Sequence, residues 1–282
     1  MNTWIIEPRD PLIVRDGRPF SADIAGARAQ SLDFPFPSTI AGAVRTQHGF
    51  RVGNFNEAAQ KDDLIAAVKK LRVHGPLLVE LNAQGELAQW LFPAPADALL
   101  FEVENEPQSK EAASLKRLVP LPLANSYTNL SADLSPVGLL QPDPRKPFSA
   151  APRFWHESQF LHWLTAPQEG KVIISELGHS GPRPEMRTHV GIDPDKQAAR
   201  ESALFQTRGL EFLRSQQADY QRLALAVMTD AQLTEGFAPM GGERRLCNWQ
   251  ASNKNLPACP PALRAAIKDK RACRVVLLTP AH

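Results

Sequence analysis

Proline occupies 25 of the 282 positions, about 9% where an average chain carries about 5%. The ring fixes φ and leaves no N–H to donate, so proline is scarce inside helices and central strands. A chain so rich in it is held to short elements joined by ordered turns and long loops. Hydrophobic residues at 43% and charged residues at 22% still describe an ordinary globular protein. The length suits one large domain or two small ones. No run approaches the ~18 uninterrupted apolar residues of a membrane span. Residues 1–10 contain Glu7, Arg9 and Asp10 and lack the apolar core of a signal peptide, so a cytoplasmic location is expected. Cys247, Cys259 and Cys273 are odd in number and too widely spaced for a paired ligand site. They read as reduced thiols, and no metal or cofactor is expected.

Short apolar runs at Trp4-Ile5-Ile6 and Leu12-Ile13-Val14 flank a proline turn and read as strand material. Ser38 has the character of an N-cap, Ile40, Ala43 and Val44 follow at helical spacing, and Gly49 supplies a stop after about ten residues. A second helix is predicted over 56–72, with Leu64, Val68 and Leu71 on one face. Residues 73–80 and 90–92 read as a strand pair turning through 82–85. Strand, helix, strand, strand is the opening of a ferredoxin-like fold. The stretch 101–152 is turn-rich, and Phe154, Trp155, Ser158, Leu161 and Trp163 suggest a short amphipathic helix. Residues 172–175 and 223–228 are predicted as buried strands. Between them, 182–222 reads as a projecting hairpin. A helix over 260–270 and a closing strand over 274–279 complete the reading.

The net charge is only +2, yet it is unevenly placed. From residue 241 onward there are eight basic residues against Glu243 and Asp269, giving +6 there and −4 on the rest of the chain. Such a region suits a partner that is anionic at one place, and equally suits a solvated helix face.

Four patterns call for a common explanation. They are Asp10-Pro11-Leu12-Ile13-Val14-Arg15-Asp16-Gly17-Arg18-Pro19-Phe20, Phe36-Pro37-Ser38-Thr39-Ile40-Ala41-Gly42-Ala43-Val44-Arg45, Arg187-Thr188-His189-Val190-Gly191-Ile192-Asp193, and Gly241-Gly242-Glu243-Arg244 followed by Leu277-Leu278-Thr279-Pro280-Ala281. In this order and spacing they resemble subunit three of the Cmr complex, a family of RAMP proteins in type III-B CRISPR effectors. The resemblance implies an α+β, ferredoxin-like RAMP fold with large loop and hairpin insertions. One module would span 1–150 and a second 151–282. In the family a further C-terminal stretch follows the Thr-Pro-Ala segment, so the second module is expected to be incomplete. The implied function is a non-catalytic subunit that binds guide RNA at its 5′ tag. Its implied partners are the large polymerase-like subunit and the backbone RAMP subunits.

Residue by residue, Arg15 and Arg18 lie in a turn where paired guanidiniums can hold phosphate oxygens, or where Asp10 and Asp16 brace them. Ser38 and Thr39 open a helix whose N–H groups and dipole suit a phosphate, though a plain cap needs no ligand. Arg45 is expected on the solvent side of that helix. Gly241 and Gly242 allow close backbone approach to a nucleotide, with Arg244 and Arg245 beside them. Arg187, His189 and Arg208 belong to the hairpin, where arginine would meet phosphate and His189 or Phe205 would stack on bases. Phe205 also suits a core position.

Two other classes compete. RAMP relatives that process guide RNA use a histidine, but no histidine here forms a metal-spaced or otherwise recognisable catalytic set. No nucleophile elbow, P-loop or dinucleotide fingerprint occurs either. A purely structural adaptor is the remaining alternative.

Overall fold

The computed structural model describes residues 1–17, 27–29, 31–103, 111–121, 129–131, 134–216, 219–269 and 274–279. Along the chain the elements are β1 (Asn2–Pro8), β2 (Ala27–Ala29), α1 (Pro37–Val52), α2 (Ala58–Lys69), β3 (Val73–Leu81) and β4 (Leu87–Pro93). Next come β5 (Ala98–Phe101), β6 (Ala112–Pro120), β7 (Val137–Leu139), β8 (Phe154–His156), α3 (Glu157–Thr165), β9 (Gly170–Ile173), α4 (Ile174–Leu177) and β10 (Gly178–His179). The last are β11 (Arg183–Asp193), β12 (Ala198–Glu211), β13 (Leu213–Gln216), β14 (Asp219–Thr229), β15 (Gly236–Met240), β16 (Arg245–Ser252) and α5 (Pro261–Asp269). It is an α+β protein with mostly antiparallel sheets. None of the described helices is long and apolar enough to cross a membrane.

Two compact units form, each discontinuous in sequence, where the sequence reading divides the chain at 150. The first comprises Met1–Trp90, Gly181–Pro257 and Leu278–His282. In its sheet, β1 lies between β14 and β16, antiparallel to both; β14 pairs in turn with β3, and β15 forms the edge beside β16. The strand next to β3 on the β1 side is therefore β14, from more than a hundred residues later, while β4 takes the outer flank. β1 and β14 are apolar runs because both of their faces are covered: Ile5, Ile6, Leu225, Ala226 and Val227 are fully buried. Helix α1 packs on β3 and β15 through Ile40 and Val44.

Helix α1 differs from its sequence expectation. Phe36 occupies the N-cap without a side-chain cap bond, Pro37 takes the first turn, and Ser38 sits inside the helix. The helix runs through Gly49, which is buried where a Cβ would collide with the Phe55 ring, and stops only at Gly53. Close packing, not termination, is what Gly49 provides. The segment 12–14 is buried but is not a strand. Leu12 exchanges backbone bonds of 2.8 Å with Leu210, and Ser31 Oγ bonds the Val14 N–H and carbonyl.

The projecting hairpin is β11 with β12, shorter than the predicted 182–222, because the chain turns again and β13 pairs with β14. Short β2 adds to β12 in parallel.

The second unit comprises Leu91–Ser180 and Ala258–Leu277. Strands β5, β6, β7 and β9 make one antiparallel sheet, and β10 and β8 add to the end of β4. Residues 172–175, predicted as a buried strand, divide between β9, whose Lys171 and Ile173 are exposed, and the single turn α4. Residues 274–279 form no strand. Instead Arg274 donates to the Asp97 carboxylate and the Trp163 carbonyl, and Trp163 Nε1 donates to Asp97 at 3.0 Å. Trp155 meets Trp163 edge-on at 5.7 Å, and Phe92 stacks on Phe160 at 4.8 Å. Arg145 grips Asp143 through two nitrogens at 2.9 and 2.5 Å, which holds the Asp143 carboxyl down to about 2.

Candidate nucleic-acid interface

The first unit contains a groove of about 460 Å³, open to solvent. One wall is the first three turns of α1, presenting Ser38, Thr39, Gly42, Ala43 and Thr46. The facing wall is the end of β15 with Pro239, Met240, Gly241, Gly242 and Arg244, and the floor is Ile13, Val14 and Arg15. Six residues singled out in sequence meet here: Arg15, Ser38, Thr39, Gly241, Gly242 and Arg244. Two of the lining residues are arginines and none is acidic.

The loop after β15 is shaped by contact with residue 13. The Gly242 N–H donates to the Ile13 carbonyl at 2.7 Å. Gly241 has φ +76°, and a Cβ there would stand 2.6 Å from the same oxygen. Only glycine fits that place. Glu243 and Arg244 also hold positive φ, at +57° and +51°. Side chains with a Cβ rarely adopt that backbone, and strain of this kind collects at functional sites. The result is a loop that turns sharply and leaves Arg244 exposed at the groove.

On the other wall, Ser38 is exposed in the first turn of a sixteen-residue helix with no acidic residue in that turn. The positive end of the helix dipole therefore meets the groove unopposed. A Cβ on Gly42 would have open space within 4 Å, so the glycine keeps this wall low. Thr46 was missed in sequence. The signal was present: Ser38, Gly42 and Thr46 recur every four residues, opposite the buried Ile40 and Val44 stripe.

The other predicted residues fall elsewhere. Arg45 is not solvent-facing; it is half-buried toward α2, donates to the Lys69 carbonyl at 3.4 Å and has its Nε buried without a partner. Arg245 also turns inward: it bonds the Glu243 carboxylate at 3.0 Å and does not line the groove. Arg187 donates to Glu185 at 2.6 Å, a bond that raises its pKa further. Arg208 reaches Asp33 at 2.7 Å and the Ser31 carbonyl at 3.4 Å. His189 and Phe205, register partners on β11 and β12, stack on each other with centroids 5.1 Å apart, and His189 Nε2 bonds Thr207 Oγ1 at 2.9 Å. Phe205 is half-buried, not core. Arg18 lies outside the described residues. Among the described residues no group of three or more metal-ligating side chains gathers.

The family of CRISPR-associated proteins called Cas_Cmr3 matches residues 4–282. No curated protein matches. Among solved structures, a chain in a cryo-EM structure of type III-B Cmr-beta bound to cognate target RNA and AMPPnP is similar at 14% identity and TM-score 0.48, over 90% of this chain. A second Cmr-beta structure, bound to cognate target RNA, gives 15% identity and TM-score 0.44 over 90% of this chain. This chain spans 64% and 65% of the length of those two chains. With the family match running over nearly every residue, the chain belongs to the Cmr3 family of CRISPR-associated proteins.

Proposed function

We propose that this protein is a non-catalytic subunit of a type III-B CRISPR effector that holds the 5′ tag of the guide RNA in the groove between α1 and the Gly241 loop. The observation that carries the reading is chemical: Arg15 and Arg244, the free end of α1 and a glycine-permitted backbone converge on one open groove whose lining has no carboxylate. Guanidiniums and helix N-termini are the groups that hold phosphate oxygens. A protein-binding groove of this size has no need of such charge bias. Family membership supplies the biological setting, in which the large polymerase-like subunit and the backbone RAMP subunits are the partners.

The fold also suits a RAMP protein. We read β1, the α1–α2 crossover, β3, β14 and β16 as a ferredoxin-like sheet in the spatial order β3-β14-β1-β16. Everything from β4 to β13 is then one large insertion between its second and third strands. In this reading the hairpin β11–β12 is part of that insertion.

Endoribonuclease activity is the less favoured reading, because two histidines of the first unit, His48 and His189, are engaged structurally. His48 Nδ1 bonds the backbone of Gln232, and His189 is held by Thr207 and Phe205. A pure adaptor would not need the charge bias of the groove.

Titration of the purified chain against single-stranded RNA bearing the repeat-derived 5′ tag, at stepped salt, tests the proposal. The expected result is a negative slope of log K against log salt, about −0.7 for each phosphate neutralised. A slope near zero would remove the phosphate groove from consideration and favour the adaptor. Site-specific cleavage of repeat RNA, lost on His189→Ala, would favour the nuclease.

A further inference from the structure

Beside the groove, the outer face of the sheet presents an aromatic ring with no packing role. Phe237, on edge strand β15, is 61% exposed, while the tryptophans of the chain are buried. Arg9 stands over it, its guanidinium carbon 5.9 Å from the ring centre. Asn248 is the register partner of Phe237 and Glu7 is that of Asn248, so the three side chains stand in a row on one face. Among the described residues the Asn248 amide makes no hydrogen bond. The one acid in the row, Glu7, is matched by Arg222, which donates to it at 2.9 and 2.8 Å. Leu246, 42% exposed, extends the apolar surface, and the Arg9 N–H is fixed to its carbonyl at 2.9 Å.

Position relative to the groove gives this row its meaning. Pro239 lines the groove, and Phe237 lies two residues back on the same strand and the same face. Two residues of strand span about 6.8 Å, so the ring stands close to where a chain leaving the groove would run. We infer that Phe237, with Arg9 and Asn248, forms a stacking platform for one unpaired nucleobase of the RNA strand whose phosphates lie in the groove. The ring supplies a flat apolar face, Arg9 a cation for the base or the phosphate that follows, and Asn248 an amide for the base edge. An apolar peptide would use the ring and Leu246 but would leave the Arg9 charge and the Asn248 amide unmatched. The inference rests on the groove's holding RNA, and it adds that the strand is single there and that one base is turned onto the protein.

The test uses the full chain and single-stranded RNA of about ten nucleotides with 2-aminopurine placed at successive positions. One position is expected to lose fluorescence on binding, through stacking, and to regain it in Phe237→Ala. That variant should bind about 5- to 150-fold more weakly, the range for one stacked base, with the salt slope unchanged. Phe237→Trp should restore both readouts, which a structural defect would not allow. If Arg244→Ala weakens binding while Phe237→Ala matches the wild type and no position is quenched, the platform is wrong and the groove stands. If the wild-type chain does not bind RNA at all, both fall. Equal binding of single-stranded RNA and its blunt duplex would overturn the platform. So would a Phe237→Ala variant that binds RNA normally yet no longer associates with another effector subunit.

Discussion

The groove and the β11–β12 hairpin both bring arginines to the surface, and Arg244 of the groove differs from Arg187 and Arg208, two of the hairpin's four, in what it already holds. On the hairpin, Arg187 is tied to Glu185 and Arg208 to Asp33 and the Ser31 carbonyl. In the groove, Arg244 stands exposed among neutral side chains and glycines, and no carboxylate is part of the lining. An arginine with an acid in contact must give up that contact to take a phosphate, so the net gain on binding is small. One facing only neutral neighbours at the binding surface keeps its field directed outward. Arginine content alone does not mark an RNA surface; local neutralisation decides.

Closing the groove sterically is expected to have the largest effect. Gly42→Leu adds a side chain into open space within 4 Å of the new Cβ, so folding should be unharmed. Leucine in place of glycine inside a helix should even stabilise the chain by about 0.5–1 kcal/mol. RNA binding should nevertheless fall below detection, as read by anisotropy beside a denaturant melt. Gly241→Val breaks the same groove through the backbone, since φ +76° and an Ile13 oxygen 2.6 Å from the new Cβ both oppose it. It should cost about 1–3 kcal/mol in stability as well as binding. If Gly42→Leu binds normally, the groove is not where RNA lies.

Charge removal comes next. Arg15→Ala combined with Arg244→Ala should reduce the magnitude of the salt slope by about 1.4, two phosphate contacts on a single strand. Arg187→Ala combined with Arg208→Ala should change it by less than about 0.5, because both guanidiniums are already neutralised. Equal changes in the two double variants would erase the contrast between groove and hairpin.

How much of this was readable beforehand depends on what each residue does. Local patterns served where backbone chemistry is local: the apolar run of β1, helices α1, α2, α3 and α5, the β3–β4 turn and the strand of β14 all lie near their expected places. Gly241-Gly242 beside Arg244 was recognisable because a positive-φ loop leaves a glycine signature in the chain itself. Long-range pairing leaves no such mark. Nothing near residue 45 shows that α2 will fold against Arg45, and nothing near residue 208 announces Asp33, 175 positions away. The insertion of β14 between β3 and β1 is likewise a matter of tertiary closure, and the predicted pairing of the two strands at 73–80 and 90–92 carries no sign of it. Ser38 has the right residue type for a cap, but with Phe36 as the N-cap and Pro37 in the first turn the helix starts two residues earlier than a Ser38 cap would set it.

The smallest effect expected is that of the Arg208–Asp33 pair itself. The two side chains are 27% and 54% exposed, so solvent screens their attraction, and a double-mutant cycle over Arg208→Ala and Asp33→Ala should give a coupling of about 0.5 kcal/mol. It should shrink further in high salt. The single variants need not be equal. Arg208 also donates to the Ser31 carbonyl, and Ser31 Oγ holds both backbone groups of Val14 on the floor of the groove. Arg208→Ala should therefore destabilise more than Asp33→Ala, and should loosen the amide of Val14 in hydrogen exchange where Asp33→Ala does not. Identical exchange in the two variants would mean that the hairpin and the groove floor are mechanically independent. Arg187 and Arg208 would then act only through their carboxylates.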